Sequence, residues 1–251
     1  MTAATFYPSL KQKVVFITGG ATGIGAAMVR SFAAQQAKVA FIDIDTAAAE
    51  ALQAQCAEPL WFRAVDVTKP ALLQQALQDA AAALGGLDVL INNVANDRRQ
   101  PSTEVSVRDW QQCMQVNLDP AFFAAQTAFL LMRAQQQGCI INFSSINALS
   151  GQPEMAGYVT AKAGLIGLTK ALAKDFGVEG IRVNAILPGW VATERQLASW
   201  FTPDEQEKWL AAAALKQFIK PQDVANLALF LASDQSALIT GQAICIDGGR
   251  V

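Results

Sequence analysis

The chain has 251 residues, 52% hydrophobic and 16% charged, with a formal net charge of −2 and no histidine. That composition suits one large domain with a sizeable core and argues against disorder, a nucleic-acid surface or an anionic membrane as partner. Without histidine there is no Ser-His-Asp triad, no histidine base and no histidine metal site, so acid/base chemistry falls to Tyr, Lys, Asp, Glu or Cys.

The segment Met1–Lys13 lacks an apolar core of signal-peptide length, and the later apolar stretches are too short and too interrupted to span a bilayer. Cys56, Cys113, Cys139 and Cys245 are widely spaced with no CxxC pair, which predicts small buried thiols in a reducing cytoplasm and no metal.

The first predicted strand, Val14–Thr18, runs directly into Gly19-Gly20-Ala21-Thr22-Gly23-Ile24-Gly25, which opens a helix over Gly23–Gln36. In that context Gly19 permits a tight turn, Gly23 lets backbone approach a pyrophosphate, and Gly25 permits close helix–strand packing. The helix N-terminus offers unbonded N–H groups and partial positive charge to phosphates. A second strand, Lys38–Ile42, leads to Asp43, whose carboxylate suits adenosine ribose hydroxyls and repels a 2′-phosphate. Thr22 and Ile44 supply no cation in compensation, so NAD is expected over NADP. Asp43 could instead cap a helix, but Asp45 and Thr46 serve that role better for Thr46–Cys56.

A third strand, Leu60–Val65, ends at Asp66-Val67, placed to reach an adenine amino group. A helix over Lys69–Leu84 and a strand at Val89–Asn92 follow, the latter closed by Asn93-Val94-Ala95. A long helix is expected over Val107–Gln137, then a strand at Cys139–Phe143 with Ser145 just past its end. Tyr158 and Lys162, four apart in a helix over Met155–Phe176, share one helix face. An ammonium held near a phenol lowers the tyrosine pKa toward the range useful at neutral pH. The remaining elements are strands Arg182–Leu187 and Ala243–Ile246 and a helix over Pro221–Ala232. Ala95–Ser106 and Gly189–Pro203 read as irregular segments bordering the site. Seven continuous apolar strands alternating with helices predict a single doubly wound α/β domain over 1–251 with a seven-stranded parallel sheet. Its cofactor half is about 10–120 and its catalytic half about 121–251.

These marks together resemble the short-chain dehydrogenase/reductase family across nearly the whole chain: Thr18 to Gly25, Asp66-Val67, Asn92-Asn93, Asn117, Ser145, Tyr158, Lys162, Asn184, and Pro188-Gly189 with Thr193. The resemblance implies an NAD-dependent oxidoreductase acting on CH–OH groups. In it Tyr158 is the acid/base, Ser145 bonds the substrate oxygen, and Lys162 binds the nicotinamide ribose and depresses the tyrosine pKa. Asn117 helps anchor a relay water. Gly19, Thr22, Gly23, Ile24, Gly25, Asp43, Asp66, Val67 and Asn93 hold the rest of the cofactor, and Pro188, Gly189, Val191 and Thr193 wrap the nicotinamide. The chain departs from the family at Ala95, where glycine is usual; this predicts either a backbone without positive φ there or a local rearrangement, and makes Asn96 and Asp97 candidate substrate contacts.

The pocket candidates Asn96, Asn147, Glu154, Met155, Trp190, Arg195 and Gln196 are mostly polar, as a monosaccharide requires. Asn92–Arg98 and Pro188–Gln196 also resemble a branch that oxidises aldoses such as L-arabinose, D-xylose, D-galactose or L-fucose at C1 to the lactone. The alternatives are a 3-oxoacyl or other ketone reductase, a secondary-alcohol dehydrogenase, and a catalytically silent NAD-binding sensor. The resemblance further implies a homotetramer packed through the Val107–Gln137 and Met155–Phe176 helices.

Overall fold

The computed structural model describes residues 5–251; residues 1–4, part of the N-terminal segment read above, lie outside the described residues. Runs of apolar residues form the strands β1 (Val14–Thr18), β2 (Lys38–Asp43), β3 (Trp61–Ala64), β4 (Val89–Asn92), β5 (Gly138–Phe143), β6 (Ile181–Pro188) and β7 (Ala243–Ile246). They make one parallel sheet in the order β3-β2-β1-β4-β5-β6-β7. β1, β4 and β5 are buried along their whole length because helices cover both sheet faces.

Alternate side chains of each strand feed opposite layers. Val15 and Ile17 pack with α1 (Gly23–Ala34), α2 (Thr46–Gln53) and α10 (Pro221–Ala232), while Phe16 packs with α3 (Pro70–Leu84), α5 (Asp119–Met132) and α7 (Ala156–Gly177). The other helices are α4 (Val107–Asn117), α6 (Asn147–Ser150), α8 (Glu194–Ser199) and α9 (Pro203–Ala212). No helix among the described residues is long and apolar enough to cross a membrane.

Three expectations need correction. Of the four cysteines expected to be buried only Cys139 is; Cys56 and Cys113 are half-buried and Cys245, on the edge strand β7, is exposed. The single helix over Val107–Gln137 is two helices, broken at Leu118 (φ −128°, ψ −57°). Pro120 has no N–H to offer the carbonyl four residues back, so the ladder cannot run through it. The segment Gly189–Pro203 is not irregular throughout: it holds α8 and the start of α9, capped by the Thr193 and Thr202 side chains. The other elements stand where expected, with ends shifted by a few residues.

From β1 the chain works outward through β2 to β3; from β4 it works the other way to β7. Neighbouring connections therefore diverge at the carboxyl ends of β1 and β4, where open α/β sheets leave a crevice.

Candidate active site

That crevice is a cleft of about 1170 Å³. One end is built on the turn after β1. The Gly19 and Gly20 N–H groups both donate to the Ile42 carbonyl, and Gly19 and Gly23 take φ of +66° and +54°. A Cβ on Gly25 would lie 1.8 Å from the Gly19 carbonyl oxygen, so only glycine lets α1 start this close to β1. Thr22 occupies the N-cap position without a side-chain cap, which leaves the first N–H groups of α1 open to the cleft. Asp43 closes β2 with its carboxylate accepting from the Ala21, Ile44 and Asp45 N–H groups. The Asp66 carboxyl is held below its ordinary pKa by the backbone N–H and hydroxyl of Thr68. Asn93 ties the end of β4 to the turn by donating to the Thr18 and Gly19 carbonyls at 3.1 and 2.9 Å. Ala95 has no positive φ, one of the two outcomes its departure from glycine predicts. Gly19, Thr22 to Gly25, Asp43, Asp66, Val67 and Asn93 all line the cleft, and Pro188, Gly189, Val191 and Thr193 face it from the end of β6.

Mid-cleft, the ends of β5 and the start of α7 bring together Ser145, Tyr158 and Lys162. Lys162 is 1% exposed; its ammonium donates to the Phe143 carbonyl at 2.6 Å and stands 5.7 Å from the Tyr158 ring centroid. The Ser145 hydroxyl accepts from the Asn147 N–H at 3.1 Å, whereas the Ser144 hydroxyl is spent on the Lys162 carbonyl. The expectation that lysine depresses the tyrosine pKa fails in this state. Burial pushes the phenol up to about 12 against the pull of a hydrogen bond from Ser145, with Asp97 raising it and Arg195 lowering it. Burial also pulls Lys162 down to about 7, so at neutral pH it carries only part of its charge.

At the other end Asn96, Asn147, Met155, Trp190, Arg195 and Gln196 line the cleft. Asn117 and Glu154 do not. They line a cavity of about 90 Å³ that shares Asn96, Met155 and Tyr158 with the cleft. The Asn117 side chain accepts from the Asn96 N–H and donates to the Asn96 and Cys113 carbonyls, so it holds the loop after β4. Glu154 sits in a left-handed turn (φ +62°) whose carbonyl accepts from the Gln100 N–H, which fixes it beside that loop rather than over the cleft. Sequence reasoning missed Arg99, Lys208, Trp209 and Arg250, which also line the cleft. Arg99 lies in the loop after β4 that was expected to border the site; Lys208 and Trp209 arrive from α9 and Arg250 from the C-terminal segment, where no local pattern marks them. The Trp209 indole N–H is buried without a partner, and Arg250 stacks over its ring at 5.3 Å.

A sequence-family model described as "Enoyl-(Acyl carrier protein) reductase" matches residues 19–250. The chain is 43% identical to "Probable galactose dehydrogenase GalD" of Rhizobium meliloti (strain 1021), covering 97% of this chain and 96% of that one. It is 40% identical to the "D-xylose 1-dehydrogenase" of Caulobacter vibrioides, covering 98% and 99%. A solved structure provisionally described as a short-chain alcohol dehydrogenase, from Sinorhizobium meliloti 1021, superposes with a TM-score of 0.92 at 32% identity, over 97% of this chain and 98% of that one.

Proposed function

The chain belongs to the short-chain dehydrogenase/reductase family of oxidoreductases that act on CH–OH donors with a nicotinamide cofactor, and from that premise we propose that it oxidises an aldose at C1 to the lactone using NAD. The observation that carries this reading is the wall facing Ser145 and Tyr158: Asn96, Asp97, Asn147, Arg195 and Gln196 all line the cleft there. Asp97 is engaged with Arg195 and Gln196, but the Asn96 and Asn147 amides and the remaining Arg195 N–H groups have donors and acceptors that sugar hydroxyls can meet, whereas a steroid or acyl chain would bury them unpaired at about 1–3 kcal/mol each. The names of the galactose and xylose dehydrogenases point the same way.

The residues fit the cofactor. The uncapped start of α1, the left-handed Gly19 and Gly23, and the cleft beside them suit a pyrophosphate. Asp43 would take ribose hydroxyls and reject a 2′-phosphate, which favours NAD; Asp66, Val67 and Asn93 would hold the adenosine side, and Pro188, Gly189, Val191 and Thr193 the nicotinamide. A nicotinamide cofactor held there would supply the hydride acceptor for the substrate carbon. The protein manages the other product of oxidation, the hydroxyl proton. Tyr158, as phenolate, takes it while Ser145 holds the same oxygen by a hydrogen bond as the carbonyl forms. Lys162 stabilises the phenolate when charged, and Asn117 keeps the loop and α4 in place for a water that returns the proton to solvent. Because burial raises the phenol, kcat/KM for oxidation should rise from neutral toward alkaline pH.

Trp110, Phe122 and Leu130, on α4 and α5, are 39%, 41% and 54% exposed, and a cytoplasmic homotetramer would cover them. The test of the function is reduced-cofactor formation by purified protein with NAD or NADP across aldoses, polyols and secondary alcohols. Strong turnover of a few aldoses with NAD supports the proposal; turnover confined to secondary alcohols or ketones replaces it with the alternative of a general alcohol dehydrogenase or ketone reductase.

A further inference from the structure

Asp97, in the loop after β4, reaches across the cleft to the segment after β6. One carboxylate oxygen accepts from Arg195 Nη2, and the other from Gln196 Nε2 at 2.9 Å. Gln196 Oε1 in turn accepts from the Trp190 indole at 2.8 Å, and Trp190 rests on Phe201 with ring centroids 4.2 Å apart. Two residues beyond Asp97, Arg99 stacks over Trp200 at 4.4 Å. The helix held this way, α8, has six residues and no buried side chain. So short a helix without a packed face keeps its place only through contacts made to it.

The chemistry of residue 97 matters. Two different donors converge on it, and a carboxylate offers an acceptor to each. An amide offers one oxygen and sets its own NH₂ against the second donor.

We propose that Asp97 is a positioning residue that determines substrate fit: by holding Arg195 and Gln196, and Trp190 through Gln196, it fixes the polar wall opposite Ser145 and Tyr158. This rests on the reading above only in that a CH–OH substrate is bound against that wall. Asp97 also faces Tyr158 together with Arg195, and the two charges oppose each other there, Asp97 raising the phenol and Arg195 lowering it. Removing the carboxylate leaves Arg195 free to act alone.

The test compares Asp97→Asn and Asp97→Glu with the unsubstituted protein in steady-state kinetics, using any alcohol or aldose it turns over, and in tryptic cleavage after Arg195 in the absence of substrate. Asp97→Asn should raise KM for that substrate about tenfold, the scale of a lost charge-assisted hydrogen bond, while KM for NAD stays within about twofold. It should also move the kcat/KM profile to lower pH and speed cleavage after Arg195; Asp97→Glu should restore part of each effect. An unchanged KM with unchanged cleavage overturns the proposal. A raised KM with unchanged cleavage also overturns it, because Asp97 would then touch the substrate itself, and a parallel rise in KM for NAD would mean general damage. If no aldose is turned over, the sugar reading fails and the cleavage assay still decides the role of Asp97.

Discussion

At one end of the cleft every contact ends on main chain at the strand ends: the Gly19 and Gly20 N–H groups on the Ile42 carbonyl, the Asn93 side-chain amide on the Thr18 and Gly19 carbonyls, the Asp43 carboxylate on three N–H groups. At the other end they are made between side chains, Asp97 to Arg195 and Gln196 and Arg99 to Trp200 across remote segments, and Gln196 to Trp190 within one of them. Main-chain geometry is independent of most substitutions, so the glycine-turn end is rigid and tolerates only the residues that permit the turn. Side-chain geometry changes with each substitution, so the wall facing Tyr158 can be rebuilt for a new substrate without disturbing the sheet.

This contrast can be broken at either end. The largest effect is expected for Gly25→Ala, because its Cβ would collide with the Gly19 carbonyl at 1.8 Å. Cofactor binding, read by titration of protein fluorescence, should vanish and the melting temperature should drop; near-normal binding would mean the turn is not rigid. Tyr158→Phe, between the two ends, should cut kcat by about 10²–10⁴ while leaving NAD affinity intact; an unchanged kcat would remove the proposed acid/base. Asp43→Ala should shift the NAD/NADP ratio of kcat/KM toward NADP by about ten- to a hundredfold, as loss of charge repulsion and two ribose hydrogen bonds implies.

The last effect concerns stability rather than activity. Lys162 when unfolded takes up a proton near its ordinary 10.5, but when folded only near 7. In this window the unfolded chain binds more protons, so lowering the pH destabilises the protein. Lys162→Met removes that penalty. From about pH 9 to about pH 7 the wild type should lose roughly 2–3 kcal/mol relative to the variant, or about 5–10 °C in Tm. Parallel melting curves would show that Lys162 titrates normally.

The glycine-turn end was legible in the sequence because its signals are local: a strand, glycines at fixed offsets, a carboxylate at the next strand end. Ser145, Tyr158 and Lys162 were legible for the same reason, as spacings around one strand and one helix. The tyrosine pKa was not, since burial depends on the whole fold. The break at Pro120 and the start of α9, with Thr202, Pro203 and Glu205 at its first turn, carry written signals. The six-residue α8 carries only its Thr193 cap. The bonds of Asp97 lie beyond local reading, since its partners stand nearly a hundred residues away.

The sheet order bears on how the chain is made. β1 pairs with β2 along one edge and with β4 along the other, Val15 standing beside Val89. During synthesis the second edge of Val14–Thr18 therefore stays bare until residues 89–92 have left the ribosome. It is an uncharged ribbon, apolar except for Thr18, with unpaired N–H and C=O groups, the kind of edge on which nascent chains aggregate. Yield at high expression should depend more on shielding that strand in the interval than on the stability of the finished enzyme.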